Sequence, residues 1–253
     1  MLERQSAKAP APTADQASGL RRMFEASAPR WSLVLQPTTR SEGGARGLAV
    51  RAHELARALG NTLLIDAART HIAAGMGLAL RYDLDHVLQQ DCTLAQACVG
   101  AADSLWVLPA ARALDRALAD PRNAEDVAKA MDAIGQKMRH VMLVLPAARA
   151  GWSLQLPGLQ HAREALIPVV RGSDSGSAVL TAVRQAVSEA QIDTFHLLFL
   201  GMGQASAGRL LTGMAAIAQR HFGAKLLAVQ PGALAEYAAP GGRSRHPVLE
   251  SVS

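Results

Sequence analysis

Short, continuously apolar runs recur along most of this chain and alternate with stretches whose apolar residues repeat at helical spacing. The runs of strand length are WSLVLQP (31–37), NTLLIDA (61–67), SLWVLPA (104–110), HVMLVLPA (140–147), ALIPVVR (165–171), FHLLFLG (195–201) and KLLAVQP (225–231). The helical stretches between them are 49–59, 93–99, 123–138, 174–190 and 205–222. Strands buried on both faces are apolar throughout, so the pattern predicts parallel strands covered by helices. We therefore predict an α/β fold with a doubly wound, mostly parallel sheet.

The two ends of the chain differ from this alternating centre. TADQASGLRRMFEAS (13–27) follows an Ala- and Pro-rich start. Its residues Ala17, Leu20 and Phe24 recur at helical spacing, which predicts a short helix on a tether. The sequence thus divides into an N-terminal tail with this helix, an α/β domain and a C-terminal tail, at 1–30, 31–239 and 240–253.

Composition and charge narrow the possible classes of protein. The 253 residues are 49% hydrophobic and 19% charged, which supports a large core. The net charge of +5 is mild and the basic residues are scattered, so we expect no nucleic-acid surface. No apolar run approaches the roughly 18–20 residues of a membrane span, and the first residues lack the apolar stretch of a signal peptide. We expect a cytoplasmic protein in which Cys92 and Cys98 are reduced core residues.

The stretch SEGGARGLAV (41–50) follows the first predicted strand, where α/β proteins commonly bind phosphates. Its glycines before the helical pattern are Gly43, Gly44 and Gly47. A working phosphate loop also has a Lys for charge and a Ser or Thr for Mg²⁺. This stretch has no Lys, and Leu48 and Ala49 stand where the Lys and the Ser or Thr are needed; it has the acidic Glu42, and Arg46 is the nearby cation. The residues alone leave three interpretations open: a nucleotide site, a degenerate one and an ordinary turn.

Other strand ends carry weaker candidates. Asp66 follows a buried strand, where a carboxylate can position water or a metal, but a lone Asp equally often caps a turn or helix. The strand at 140–147 ends on Leu145 rather than on an acid. Gly201 and Gly203 lack the third glycine of a dinucleotide motif and are typical of a turn before a helix. From these patterns we predict no catalytic residue and no metal ligand.

The order of these motifs resembles the MinD/ParA family of deviant P-loop ATPases, and more narrowly its flagellar-number branch, called FlhG, FleN or YlxH. Family members carry KGGVGKT where this chain has EGGARGL (42–48) or, with a one-residue insertion that aligns the following helix better, EGGARGLA (42–49). In both alignments Glu42 replaces the signature lysine, and neither restores a Lys-Ser/Thr pair. The family's IDAD-like motif corresponds to Ile65-Asp66-Ala67-Ala68, and its later acidic strand end to Leu145. The resemblance covers about residues 13–235. It implies a P-loop NTPase-like fold of the SIMIBI type and a vestigial nucleotide site at Glu42, Gly43, Gly44, Arg46, Gly47 and Asp66.

The most specific part of the resemblance is DQASGLR (15–21), which matches the DQAxxLR motif of that branch. In the family this helix docks on the signal-recognition-type GTPase FlhF and stimulates its hydrolysis. A glutamine on a docked helix is suited to orienting an attacking water. The alternative is a helix that packs on its own domain. The resemblance implies partner-binding residues at Asp15, Gln16, Ala17, Leu20, Arg21 and Phe24.

The resemblance implies that this protein regulates flagellar biosynthesis and number. It also implies a pseudo-ATPase that needs no cofactor. It would activate an FlhF-type GTPase and contact flagellar basal-body or regulatory proteins. The alternative is a functional MinD/ParA-like ATPase in flagellar placement, cell division or partitioning, with ATP and Mg²⁺ held by loop amides, Arg46 and Asp66. Family members attach to membranes through a C-terminal amphipathic helix. Residues 240–253 show no amphipathic stripe, so we expect no membrane attachment.

Overall fold

The computed structural model describes residues 29–37, 42–172 and 175–229, and for Glu42 and Gly43 it describes the backbone alone. The predicted partner helix at 13–27 and the C-terminal tail at 240–253 therefore lie outside the described residues.

The described residues contain one eight-stranded sheet. Its strands are β1 (Arg30–Gln36), β2 (Thr62–Asp66), β3 (Val99–Ala102), β4 (Leu105–Pro109), β5 (His140–Pro146), β6 (Glu164–Val170), β7 (Thr194–Leu200) and β8 (Lys225–Ala228). The order across the sheet is β3-β4-β2-β5-β1-β6-β7-β8, and the pairs are parallel except β3 with β4. The predicted doubly wound, mostly parallel sheet is confirmed. The apolar pattern does not predict β3, whose sequence is VGAA at the sheet edge.

Helices connect the strands. They are α1 (Glu42–Leu59), α2 (Ile72–Gly75), α3 (Leu84–Leu88), α4 (Leu94–Ala97), α5 (Ala111–Ala119), α6 (Pro121–Gly135), α7 (Ser175–Ala190) and α8 (Gln204–Phe222), with a 3-10 segment at Ala147–Gln155. The predicted start of the first helix at residue 49 is wrong, because α1 begins at Glu42. The glycine-rich stretch therefore forms the first turns of a helix. Glycine costs a helix about 1 kcal/mol relative to alanine, so tertiary packing must hold these turns.

Apolar layers cover both faces of the sheet. Successive β1 residues alternate between them, as period two requires: Leu33 and Leu35 belong to one layer and Val34 to the other. Helices α5 to α8 pack on the first layer with the side chains of Leu114, Met131, Val183 and Met214. The second receives α1, through Leu48, Ala52 and Leu55. No helix in the described ranges is both long enough and apolar enough to cross a bilayer.

The parallel strands end at a common edge of the sheet, which is where α/β proteins bind ligands. Gln36 at the end of β1 pairs in register with Pro146 of β5. Asp66 at the end of β2 pairs with Val144 and with Pro109 of β4. The start of α1 and the ends of β2, β5 and β7 thus form the region in which a site is expected.

Candidate functional site

The first turns of α1 pack tightly against the end of β7. A Cβ atom built on Gly47 would lie 2.8 Å from both Cδ atoms of Leu200. Leu200 is itself buried, with 6% of its surface exposed. Cβ atoms do not lie this close to other heavy atoms, so any side chain at position 47 would force Leu200 to shift within its buried position. The packing accounts for Gly47 without a bound phosphate.

A second contact holds the same turns against α2. A Cβ atom on Gly75 would lie 3.3 Å from the backbone carbon and oxygen of Ala45 and from the Cα atom of Arg46. Gly44 and Ala45 are buried, whereas the Arg46 side chain is exposed. The backbone of this stretch is thus covered by neighbouring elements, and its cation points away from the core.

Helical geometry also limits which amides of this stretch could face a phosphate. From the fifth residue of an α-helix onward, each N–H group donates to the carbonyl four residues earlier. Since α1 begins at Glu42, the amides of Arg46 and Gly47 belong to the helical ladder. In a phosphate loop the corresponding amides wrap around the phosphates before the helix starts. At these two positions α1 does not have the conformation of a phosphate cradle.

Asp66 lies at the end of β2 and is buried, with 9% exposure. Its carboxylate accepts hydrogen bonds from the N–H of Ala68 at 3.1 Å, from the N–H of Thr70 at 3.1 and 3.2 Å and from the Thr70 hydroxyl at 2.9 Å. Burial raises the pKa of Asp66, and the bonds from Thr70 and Ala68 oppose that rise. This arrangement corresponds to the capping alternative: the carboxylate stabilises the turn that leaves β2. Ala68 occupies the second acidic position of the IDAD-like motif.

The end of β5 is apolar. Leu145 is fully buried and pairs in register with Leu35 of β1, within the same core layer. The position that the resemblance assigns to an acid is therefore part of the core. At the end of β7, Gly201 has a positive φ of 69° and Gly203 is the N-cap of α8, as expected of a turn before a helix.

Among the residues that the structure describes, these positions do not offer the groups that bind Mg²⁺-ATP. A triphosphate requires a lysine-like cation and a hydroxyl or carboxylate that is available for Mg²⁺. The start of α1 offers the exposed Arg46, and the Asp66 carboxylate is engaged by its own turn. In the part of the chain that the structure describes, no three His, Cys, Asp or Glu residues are grouped so as to hold a metal ion. The side chain of Glu42 and the residues of the DQASGLR motif lie outside what is described.

A cleft of about 400 Å³ opens beside Asp66, between the ends of β2 and β4 and the start of α5. Basic side chains line it: Arg69, His71, Arg81, His86 and Arg112. Sequence patterns did not reveal this group, because its members come from separate segments and match no motif. The sequence feature that could have indicated this cleft is Arg69-Thr70-His71, two basic residues shortly after a buried strand.

Comparisons with known proteins identify the fold. No family model and no curated protein sequence matches this chain. The MinD cell division protein of Aquifex aeolicus superposes with a TM-score of 0.51 at 16% identity, over 80% of this chain and 84% of that one. Apo McdA of Cyanothece gives 0.53 at 16% identity, over 81% and 90%. Cobyrinic acid a,c-diamide synthase of Mycobacterium smegmatis gives 0.57 at 18% identity, over 82% and 92%. The chain therefore has the P-loop NTPase fold of MinD- and ParA-type proteins.

Proposed function

We propose that this protein is a MinD-like scaffold with a vestigial nucleotide site, and that it regulates flagellar biosynthesis and number by binding other proteins. The observation that carries the vestigial nucleotide site is the contact between Gly47 and Leu200, whereas the flagellar role rests on the resemblance described above. In this fold the start of the first helix is where nucleotide phosphates bind. Here the first turns of α1 pack against the end of β7, and the absence of a side chain on Gly47 allows the contact with Leu200.

The neighbouring strand ends support the same proposal. Mg²⁺-dependent hydrolysis relies on carboxylates and cations that face the phosphates. Asp66 holds its own turn, Leu145 lies in the core and Ala68 has no acidic group. A pseudo-ATPase of this kind keeps the rigid sheet as a platform without a nucleotide-driven change of state.

We propose that the protein acts through its N-terminal helix on an FlhF-type signal-recognition GTPase. This step rests on the resemblance of DQASGLR (15–21) to the DQAxxLR motif. Asp15, Gln16 and Arg21 would supply polar contacts, and Leu20 and Phe24 apolar anchors. That proteins of this fold bind partners is supported by the MinC:MinD cell division complex of Aquifex aeolicus, to which the chain is similar at 17% identity and a TM-score of 0.51.

The test is GTP hydrolysis by an FlhF-type GTPase in the presence of the full chain. We expect stimulation by the wild type and loss of most of it in Gln16→Ala, because the glutamine acts on the attacking water. Gln5→Ala is the matched control, since it removes the same side chain from the same tail outside the motif. Equal stimulation by Gln16→Ala and the wild type, or none by either, would overturn this role.

A further inference from the structure

The cleft beside β2 has the size and lining of a small-ligand site. Its volume of about 400 Å³ lies within the range of such sites, roughly 300–1,000 Å³. Its apolar lining comes from Ala73, Ala74, Leu78, Leu80 and Pro109. Apolar walls with a few polar groups are the usual composition of sites that bind small organic molecules.

Most of the polar side chains around this lining are basic. Arg69 makes an ion pair with Asp115 at 2.5 Å, which fixes it on the rim. Arg81 lies over the Tyr82 ring, 5.5 Å from its centroid. Neither Arg81 nor Arg112 has a carboxylate partner among the residues that the structure describes. Two guanidinium groups are therefore available to an anion.

The two carboxylates in the cleft wall are already hydrogen-bonded within the protein. Asp66 holds the turn after β2, as described above. Asp83 is also buried and accepts hydrogen bonds from the N–H groups of Asp85 at 3.0 Å, Arg112 at 3.2 Å and Ala113 at 3.2 Å. It thereby caps both α3 and α5. Both carboxylates accept from backbone amides, and Asp66 also accepts from the Thr70 hydroxyl, whereas the basic side chains of the cleft supply donors.

The hydrogen bonds of His86 define the position of two of these donors. The N–H of Asp83 donates to Nδ1 of His86 at 3.1 Å, closing a capping box at the start of α3. A neutral imidazole that accepts at Nδ1 carries its hydrogen on Nε2. That Nε2 lies 3.3 Å from Nη1 of Arg112, which can only donate. Two donors thus face one another, and an acceptor between them would satisfy both.

We propose that this cleft binds the phosphoryl group of a small ligand, with His86 Nε2 and the Arg112 guanidinium donating to its oxygens and the apolar lining holding its organic part. Arg81 supplies further positive charge. A phosphate monoester has three terminal oxygens and nearly two negative charges, so it can engage more donors than a carboxylate. The site lies apart from the start of α1, and this inference does not depend on a role in flagellar assembly.

Calorimetry on the full chain tests the inference with phenyl phosphate as the probe and benzoate as the matched carboxylate. We expect phenyl phosphate to bind more tightly than benzoate. Arg112→Gln should weaken its binding about tenfold, the loss typical of one charge-assisted hydrogen bond. Arg81→Gln, which removes only nearby positive charge, should weaken it by a smaller factor. Arg184→Gln is the control, because this arginine is exposed on α7 and does not line the cleft.

Several outcomes would overturn the proposal. These are no binding at millimolar phenyl phosphate, equal affinity for benzoate, or wild-type affinity in both cleft variants. Nitrogen NMR of the imidazole gives a second readout that needs no substitution. His86 should carry its hydrogen on Nε2 in the free protein, and that resonance should shift on titration with phenyl phosphate. A hydrogen on Nδ1 would remove the facing donors on which the inference rests.

Discussion

Gly47 and Leu200 are in direct contact, so closely that a Cβ atom on Gly47 would lie 2.8 Å from the leucine side chain. The contact joins α1 to the end of β7 at the edge of the sheet where this fold places nucleotide phosphates. The glycine that the resemblance assigns to a vestigial nucleotide site thus packs against a core leucine.

A double-mutant cycle tests this use of Gly47. Gly47→Ala should gain about 1 kcal/mol of helix propensity but lose about 2 kcal/mol through the clash, a net destabilisation. In a Leu200→Ala background the clash is absent, so the same substitution should be stabilising by about 1 kcal/mol. Chemical denaturation of the four proteins measures both effects. The same stabilisation in both backgrounds would show that the contact places no demand on position 47.

Asp66 should contribute mainly to stability. Asp66→Ala leaves the amides of Ala68 and Thr70 without their acceptor, so we expect a loss of about 1–3 kcal/mol in the free energy of unfolding. Asp66→Asn keeps one acceptor oxygen and should lose less. Asp103→Ala, which removes an exposed carboxylate from the turn before β4, is the control and should change little. Full stability of Asp66→Ala would mean that the cap is unimportant and that the acid has another purpose.

A buried pair at the opposite end of the sheet should contribute to the dependence of stability on pH. Ser32 Oγ lies 2.9 Å from Nε2 of His140, and both side chains are buried in adjacent parallel strands. Burial, together with the charge of Arg30, lowers the pKa of His140 from 6.5 to about 4. Nδ1 of His140 has no hydrogen-bond partner among the described residues.

Lowering the pH should therefore reduce the free energy of unfolding of the wild-type protein over a defined pH interval. Because the unfolded chain takes up the His140 proton more readily than the folded one, stability contributed by the neutral ring is lost as the pH falls from 6.5 to about 4. The total loss is on the order of 3 kcal/mol. His140→Gln removes the titration, so the difference in unfolding free energy between the two proteins should change across this interval. His161→Gln, at an exposed histidine, should keep the wild-type profile; a parallel profile for His140→Gln would contradict the assignment.

The strands could be predicted from the sequence because burial on both faces leaves a strong signal. β5, for example, is apolar from Val141 to Leu145 and needs no context to be recognised. β3 could not be predicted, because Gly100 and two alanines have little preference for a strand and are held there by pairing with β4. The start of α1 was missed for a related reason: its glycines favour a turn, and the contacts of Gly47 with Leu200 and of Ala45 with Gly75 outweigh that preference.

The candidate site was only partly accessible to prediction. The sequence places Asp66 at a strand end, but it cannot show whether the carboxylate faces a ligand or its own turn. The cleft was not predicted at all, because His86 and Arg112 are distant in the chain and meet only when α3 packs beside α5. The hydrogen on Nε2 of His86 depends on a capping box, which is a property of local geometry.

The most direct test of the central claim is calorimetry of the full chain with ATP and with ADP in the presence of Mg²⁺. The packed start of α1, the buried Leu145 and the engaged Asp66 predict no binding at the start of α1, even at millimolar nucleotide. Arg46→Ala should then leave the titration unchanged, and any weak heat should be removed by Arg112→Gln, which affects the cleft. Micromolar binding that is lost in Arg46→Ala would contradict the account and would make the protein a nucleotide-binding ATPase of unusual design.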